Sequence, residues 1–154
     1  MATSIPKLKL RESSVVGARN MHRTSWRRLV VVGSSLALAA TVANVALALA
    51  LRSWLQVPAG FPPLTVPAVA SLTIVGMIAA TAVFAWTANA RPDPIRTFLL
   101  IATVGLFLSW LPDLAIWATA VFPGTTGAGI LSLMTLHVVA AACAVAILTR
   151  FGLR

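Results

Sequence analysis

From Leu29 to Leu51 the chain runs for 23 residues without an ionisable side chain. Three further apolar runs follow, Val66 to Ala88, Thr97 to Val121 and Ala128 to Thr149, interrupted only by Asp113 in the third and His137 in the fourth. As a helix the first run rises ~34 Å at 1.5 Å per residue, enough to cross the ~30 Å hydrocarbon core of a bilayer. The runs are too long for membrane strands and lack period-2 alternation. Composition points the same way. Hydrophobic residues make up 59% of the chain and charged residues 10%, whereas a soluble domain carries about 25% charged residues to cover its surface. Lipid is therefore the expected solvent. With 154 residues the chain has room for one domain, and short links between long helices make antiparallel neighbours. The expected fold is all-α, an up-down bundle of four transmembrane helices occupying residues 26–154, with helices at about 29–51, 66–88, 97–121 and 128–149. Residues 1–25 are polar and basic and are expected to form a disordered cytoplasmic tail.

The links between runs carry turn and interface chemistry. Residues 52–65 hold Arg52, Trp54, Pro58, Gly60, Phe61, Pro62 and Pro63, in which aromatic rings suit the headgroup level and the prolines stop a helix. Residues 89–96 read Asn-Ala-Arg-Pro-Asp-Pro-Ile-Arg and residues 122–127 read Phe-Pro-Gly-Thr-Thr-Gly, both tight turns. With the N-terminus inside, eleven of the 12 cations fall on the cytoplasmic side (Lys7, Lys9, Arg11, Arg19, Arg23, Arg27, Arg28, Arg91, Arg96, Arg150 and Arg154) and Arg52 alone on the other. That bias places both termini in the cytoplasm and the chain in the plasma membrane. Arg27-Arg28 ahead of an apolar stretch also resembles a twin-arginine or secretory signal. A signal core is usually ~7–15 residues, however, and three more spans follow this one. Met21 offers a second start that would remove most of the tail and leave the spans intact.

The tail sets two partner classes against each other. Nucleic-acid binding calls for aromatic interleaving or a recognisable fold, and the basic segment 1–28 has one aromatic residue, Trp26. A basic segment against an apolar span fits anionic lipid headgroups better, with Arg19, Arg23, Arg27 and Arg28 as the expected contacts. Cys143, the single cysteine, lies in an apolar run, where it has no disulfide partner and behaves as a small inert hydrophobe. The two histidines, His22 and His137, lie one in the tail and one in the fourth span, so a bis-His haem is excluded within one chain and a three-ligand zinc site lacks residues. No metal and no cofactor is expected.

Chemistry inside the membrane falls to four polar residues, because hydrocarbon offers them no water. Measured from the edges of their runs, Asn44 and Asp113 lie ~22 and ~24 Å from the cytoplasmic edge, Ser109 ~18 Å from it, and His137 ~14 Å from the outer edge. Asn44, Ser109, Asp113 and His137 thus form a candidate intramembrane polar cluster. A bare carboxylate at the depth of Asp113 costs several kcal/mol, so it needs a proton, water or a partner. Pro112 removes a backbone donor and marks an expected kink. One reading of Asp113 is a polar clasp to Asn44 or His137 that locks the bundle. The other is a proton-accepting or cation-binding site, in which imidazole, titrating near neutral pH, could pass protons. A Ser109–His137–Asp113 triad lacks a visible nucleophile turn or oxyanion hole. Abundant small residues, among them Gly33, Ala40, Gly76 and Ala144, allow close helix packing and a homo-oligomer or membrane partner.

The order of these features resembles a family of uncharacterised four-helix membrane proteins of actinobacteria, grouped under a domain of unknown function. The features are a basic tail, Asn44 late in the first span, Leu-Pro-Asp-Leu at 111–114, Pro-Gly-Thr-Thr-Gly at 123–127 and Leu-Met-Thr-Leu-His-Val-Val-Ala-Ala at 133–141. The likeness covers residues ~26–150 in order and spacing, and the segment from Leu111 to Ala142 is its most specific part. It implies the four-span fold and a site, if any, at Asn44, Asp113 and His137. It implies no activity. The expected function is a non-enzymatic structural or partner-binding membrane component; the alternative is a small transporter or proton-coupled subunit using Asp113 and His137.

Overall fold

The computed structural model describes residues 25–153. Four helices make up the fold: α1 (Trp26–Trp54), α2 (Val66–Ala90), α3 (Pro94–Thr119) and α4 (Gly127–Phe151), with a single 3-10 turn at Pro62–Leu64 between α1 and α2. Each is long and apolar enough to cross a membrane, at 29, 25, 26 and 25 residues. They extend past the expected spans at most ends because local signals carry the helix outward. Asp93 caps α3 by accepting from the Arg96 amide at 3.1 Å, and Thr126 caps α4 by accepting from the Gly129 amide at 3.1 Å. Pro94 occupies the first turn of α3, where its missing N–H is no loss. The helix ends two residues short of Val121 because Ala120 turns into the left-handed region at φ 48. Pro112, the position of the expected kink, lies inside α3, which is helical on both sides of it.

The helices alternate in direction and pack in a ring, α1 on α2, α2 on α3, α3 on α4 and α4 on α1, with α2 and α4 also touching across the diagonal. Arg28 Nε donates to the Phe151 carbonyl at 2.9 Å, so the start of α1 and the end of α4 share one face, called here the terminal face. The outer surface is apolar: Leu38, Leu72, Val104, Phe107, Leu131 and many other large hydrophobic side chains are exposed. Exposed tryptophans mark both rims, Trp26 and Trp86 toward the terminal face, Trp54 and Trp117 toward the opposite one. Trp26 and Trp54 are separated by ~42 Å of helix, close to the ~40–45 Å of a bilayer with its headgroup regions. That is the aromatic belt of a membrane protein.

Two apolar clusters fill the interior. Leu36, Met77, Phe84, Phe98 and Leu148 pack toward the terminal face, where the Phe84 and Phe98 rings meet edge-to-face with centroids 5.1 Å apart. Val57, Phe61, Leu64, Ile130 and Leu136 pack toward the opposite face. The second cluster includes three residues of the α1–α2 link, which folds back into the bundle instead of lying as a bare interface loop. Arg52 holds that link by donating to the Ala59 carbonyl at 2.6 Å. Between the clusters the helices present polar residues. On α1 the buried series is Ala40, Asn44, Ala48, and on α2 it is Val69, Thr73, Met77.

Candidate functional site

The polar residues of that middle layer come from positions one helical turn from apolar core residues, so they point inward without choice. The structure divides them into two groups. On the α1–α2 side the buried Asn44 Nδ2 donates to the Thr73 hydroxyl at 3.1 Å. On the α3–α4 side His137 Nε2 lies 3.3 Å from Asp113 Oδ2. Asp113 thus takes the second of its two expected partners. Among the described residues Asn44 makes its side-chain bond to Thr73, not to Asp113. Similar depth along two helices did not bring those two together, because α2 and α4 pack across the diagonal.

The Asp113–His137 contact has the separation of an ion pair but not the alignment of a hydrogen bond, and among the described residues Oδ2 accepts none. The two partners also differ in setting: the Asp113 side chain is 6% exposed and the His137 side chain 38%. Three further buried polar atoms of this layer are without hydrogen-bond partners among the described residues, Thr41 Oγ1, Asn44 Oδ1 and Trp110 Nε1. Unpaired polar atoms at this depth are costly.

Ser109 lies one turn from Asp113 on α3, but its hydroxyl donates to the Leu106 carbonyl of its own helix at 2.7 Å. That bond satisfies the hydroxyl locally, as serine commonly does inside a membrane helix. Ser109 and His137 nevertheless line the same cavity, about 310 Å³ between α2, α3 and α4, whose other walls include Gly76, Ala80, Gly105 and Ala141. The small side chains are what leave the space open. Of the four expected residues, then, the structure joins Asp113 to His137, brings Ser109 to the same cavity and sets Asn44 apart.

Thr73, Thr41 and Trp110 were not anticipated. A threonine in a membrane helix ordinarily bonds its own backbone, as Thr81 does to Met77, so its type carries no signal; only the Asn44–Thr73 contact reveals it. Arg27 and Arg28 lie in the first turn of α1, whereas Arg19 and Arg23, and the disorder expected of the tail, fall outside the described residues. Among the described residues no group of three or more His, Cys, Asp or Glu side chains could hold a metal ion.

A family model described as a family of unknown function (DUF6069) matches residues 21–154. No curated protein and no solved structure matches the chain.

Proposed function

The chain belongs to the DUF6069 family of unknown function, and on that premise we propose that it is a non-enzymatic, multi-pass component of the plasma membrane with both termini cytoplasmic, serving a structural or partner-binding role. The observation that carries the reading is how α3 is held. Its buried residues are Pro94 and Phe98 near the terminal face, and Asp113. Beyond Phe98 the helix offers lipid a long apolar face, with Val104, Phe107, Leu108, Leu111 and Trp117 exposed. Asp113 is the point at which that face turns inward, and its partner His137 belongs to α4. An acid used this way fastens a helix whose remaining surface is free for lipid or another membrane helix.

A second reading, a small transporter or proton-coupled subunit, draws support from the cavity that reaches His137 and Ser109. Asp113→Asn separates the two. The clasp reading expects a folded variant that works in cells and loses roughly 0.6–1.7 kcal/mol of stability in detergent, the range of polar contacts between membrane helices. Proton or solute flux through liposomes carrying the natural chain, lost in Asp113→Asn at unchanged melting temperature, would overturn the structural reading in favour of transport.

A further inference from the structure

Two grooves run up the lipid-facing side of α1 from the terminal face, and they differ at the mouth. The groove between α1 and α2, about 580 Å³, has no arginine in its lining. The groove between α1 and α4, about 760 Å³, has Arg27 and Arg28 at its mouth and Val31, Val32, Ala39 and Ile147 along its walls. Arg28 Nε donates to the Phe151 carbonyl at 2.9 Å. This fixes its guanidinium across the α1–α4 seam and leaves the Nη donors for a ligand. The described acid near this face, Asp93, is in the α2–α3 turn, where it caps α3.

The dimensions fit one molecule class. From Arg28 to Ala39 the helix rises ~17 Å, against ~15 Å for half of the hydrocarbon core. An apolar channel one leaflet deep with paired guanidinium groups at headgroup level matches a single anionic phospholipid. Its phosphate takes fork-shaped donors and its acyl chain takes the apolar wall. We propose that the α1–α4 groove binds one anionic phospholipid of the leaflet at the terminal face, phosphate on Arg27 and Arg28 and acyl chain along Val31, Ala39 and Ile147. The site rests on the membrane reading given above but not on the Asp113–His137 clasp.

The test uses the full chain reconstituted from equimolar dioleoyl phosphatidylglycerol and dioleoyl phosphatidylcholine, extracted in mild detergent, with retained lipid counted by native mass spectrometry. The natural chain should retain phosphatidylglycerol over phosphatidylcholine by on the order of tenfold, from two cations acting on one anionic headgroup. Arg27→Gln/Arg28→Gln should bring the two lipids to parity. Arg27→Gln alone, which leaves the Arg28–Phe151 bond in place, should lower the preference part of the way. Ala39→Phe, at an exposed position in the groove, should reduce retained lipid with the arginines intact. Asp113→Asn should keep the preference, so that failure of the clasp and failure of the lipid site read differently. Parity in the natural chain, or an undiminished preference in the double arginine variant, overturns the proposal. So does a preference seen only after residues 1–20 are removed, which assigns the groove to the chain's own tail, or a lipid-free dimer, which assigns it to a second copy.

Discussion

A carboxyl group buried among four apolar helices must be matched by something, and Asp113 is matched by the imidazole of His137 at 3.3 Å. Asn44 meets the same requirement by a different route, through the Thr73 hydroxyl. The two contacts share no residue, so their energies should be independent. Asp113→Asn and Asn44→Leu are expected to add within about 0.5 kcal/mol in reversible unfolding. Asp113→Asn and His137→Leu, which remove two ends of one contact, are expected to fall short of additivity by about 1 kcal/mol. Marked coupling between Asn44 and Asp113 would mean that the polar layer is one network after all. Residue types and depths were readable in the chain: an acid, an imidazole and an amide inside apolar runs are conspicuous. Pairing was not, since counting residues along a helix gives height and says nothing of which neighbour faces the side chain. Thr73 and Trp110 stayed hidden for a related reason, because threonine and tryptophan are ordinary in such runs until a partner, or the lack of one, is seen.

Helices announce themselves through uninterrupted apolar length, and all four were expected where they occur. Their ends were less certain because caps such as Asp93 and Thr126, not hydropathy, set them. Helix-to-helix distance depends on single residues. A Cβ on Gly33 of α1 would come within 2.7 Å of Thr81 Cγ2 on α2, and Thr81 is held in place by its hydrogen bond to the Met77 carbonyl at 2.8 Å. Gly33→Ala should therefore push α1 from α2 and lower stability in detergent by about 1–3 kcal/mol. Gly76, with nothing within 4 Å of its would-be Cβ, is the control: Gly76→Ala should leave the melting temperature unchanged or raise it. Equal losses at both positions would argue against close α1–α2 contact at Gly33. The α1–α2 link is the element least visible in advance. Its Trp, Phe and Pro content suits an interface, yet Val57, Phe61 and Leu64 are buried in the bundle, the Phe61 ring lying where a Cβ on Gly129 would approach its Cε1 to 3.0 Å.

At the scale of the molecule, four antiparallel spans put the start of α1 and the end of α4 on one face, and the orientation proposed above, from the arginine distribution, makes that face the cytoplasmic one. Labelling tests the assignment in a Cys143→Ala background. Pro123→Cys, on the α3–α4 link, should react with a membrane-impermeant maleimide on intact cells. Asn89→Cys, near the α2–α3 turn, should react only after permeabilisation. The reverse pattern would place both termini outside. Under that proposed orientation the arginine-mouthed groove opens to the cytoplasmic leaflet, whose anionic headgroups attract basic segments.

Much of this protein follows from local properties of the chain. Span number, span position and lipid as the surrounding solvent come from hydropathy and helical rise, which each segment carries with it. The face bearing most of the arginines follows from the same count of spans. Which polar groups meet depends instead on rotation about each helix axis and on which helices touch across the bundle. Asp113 with His137, Asn44 with Thr73, the buried α1–α2 link and the two grooves along α1 all depend on those variables. They exist only once four helices have packed, because no single span sets its own neighbours.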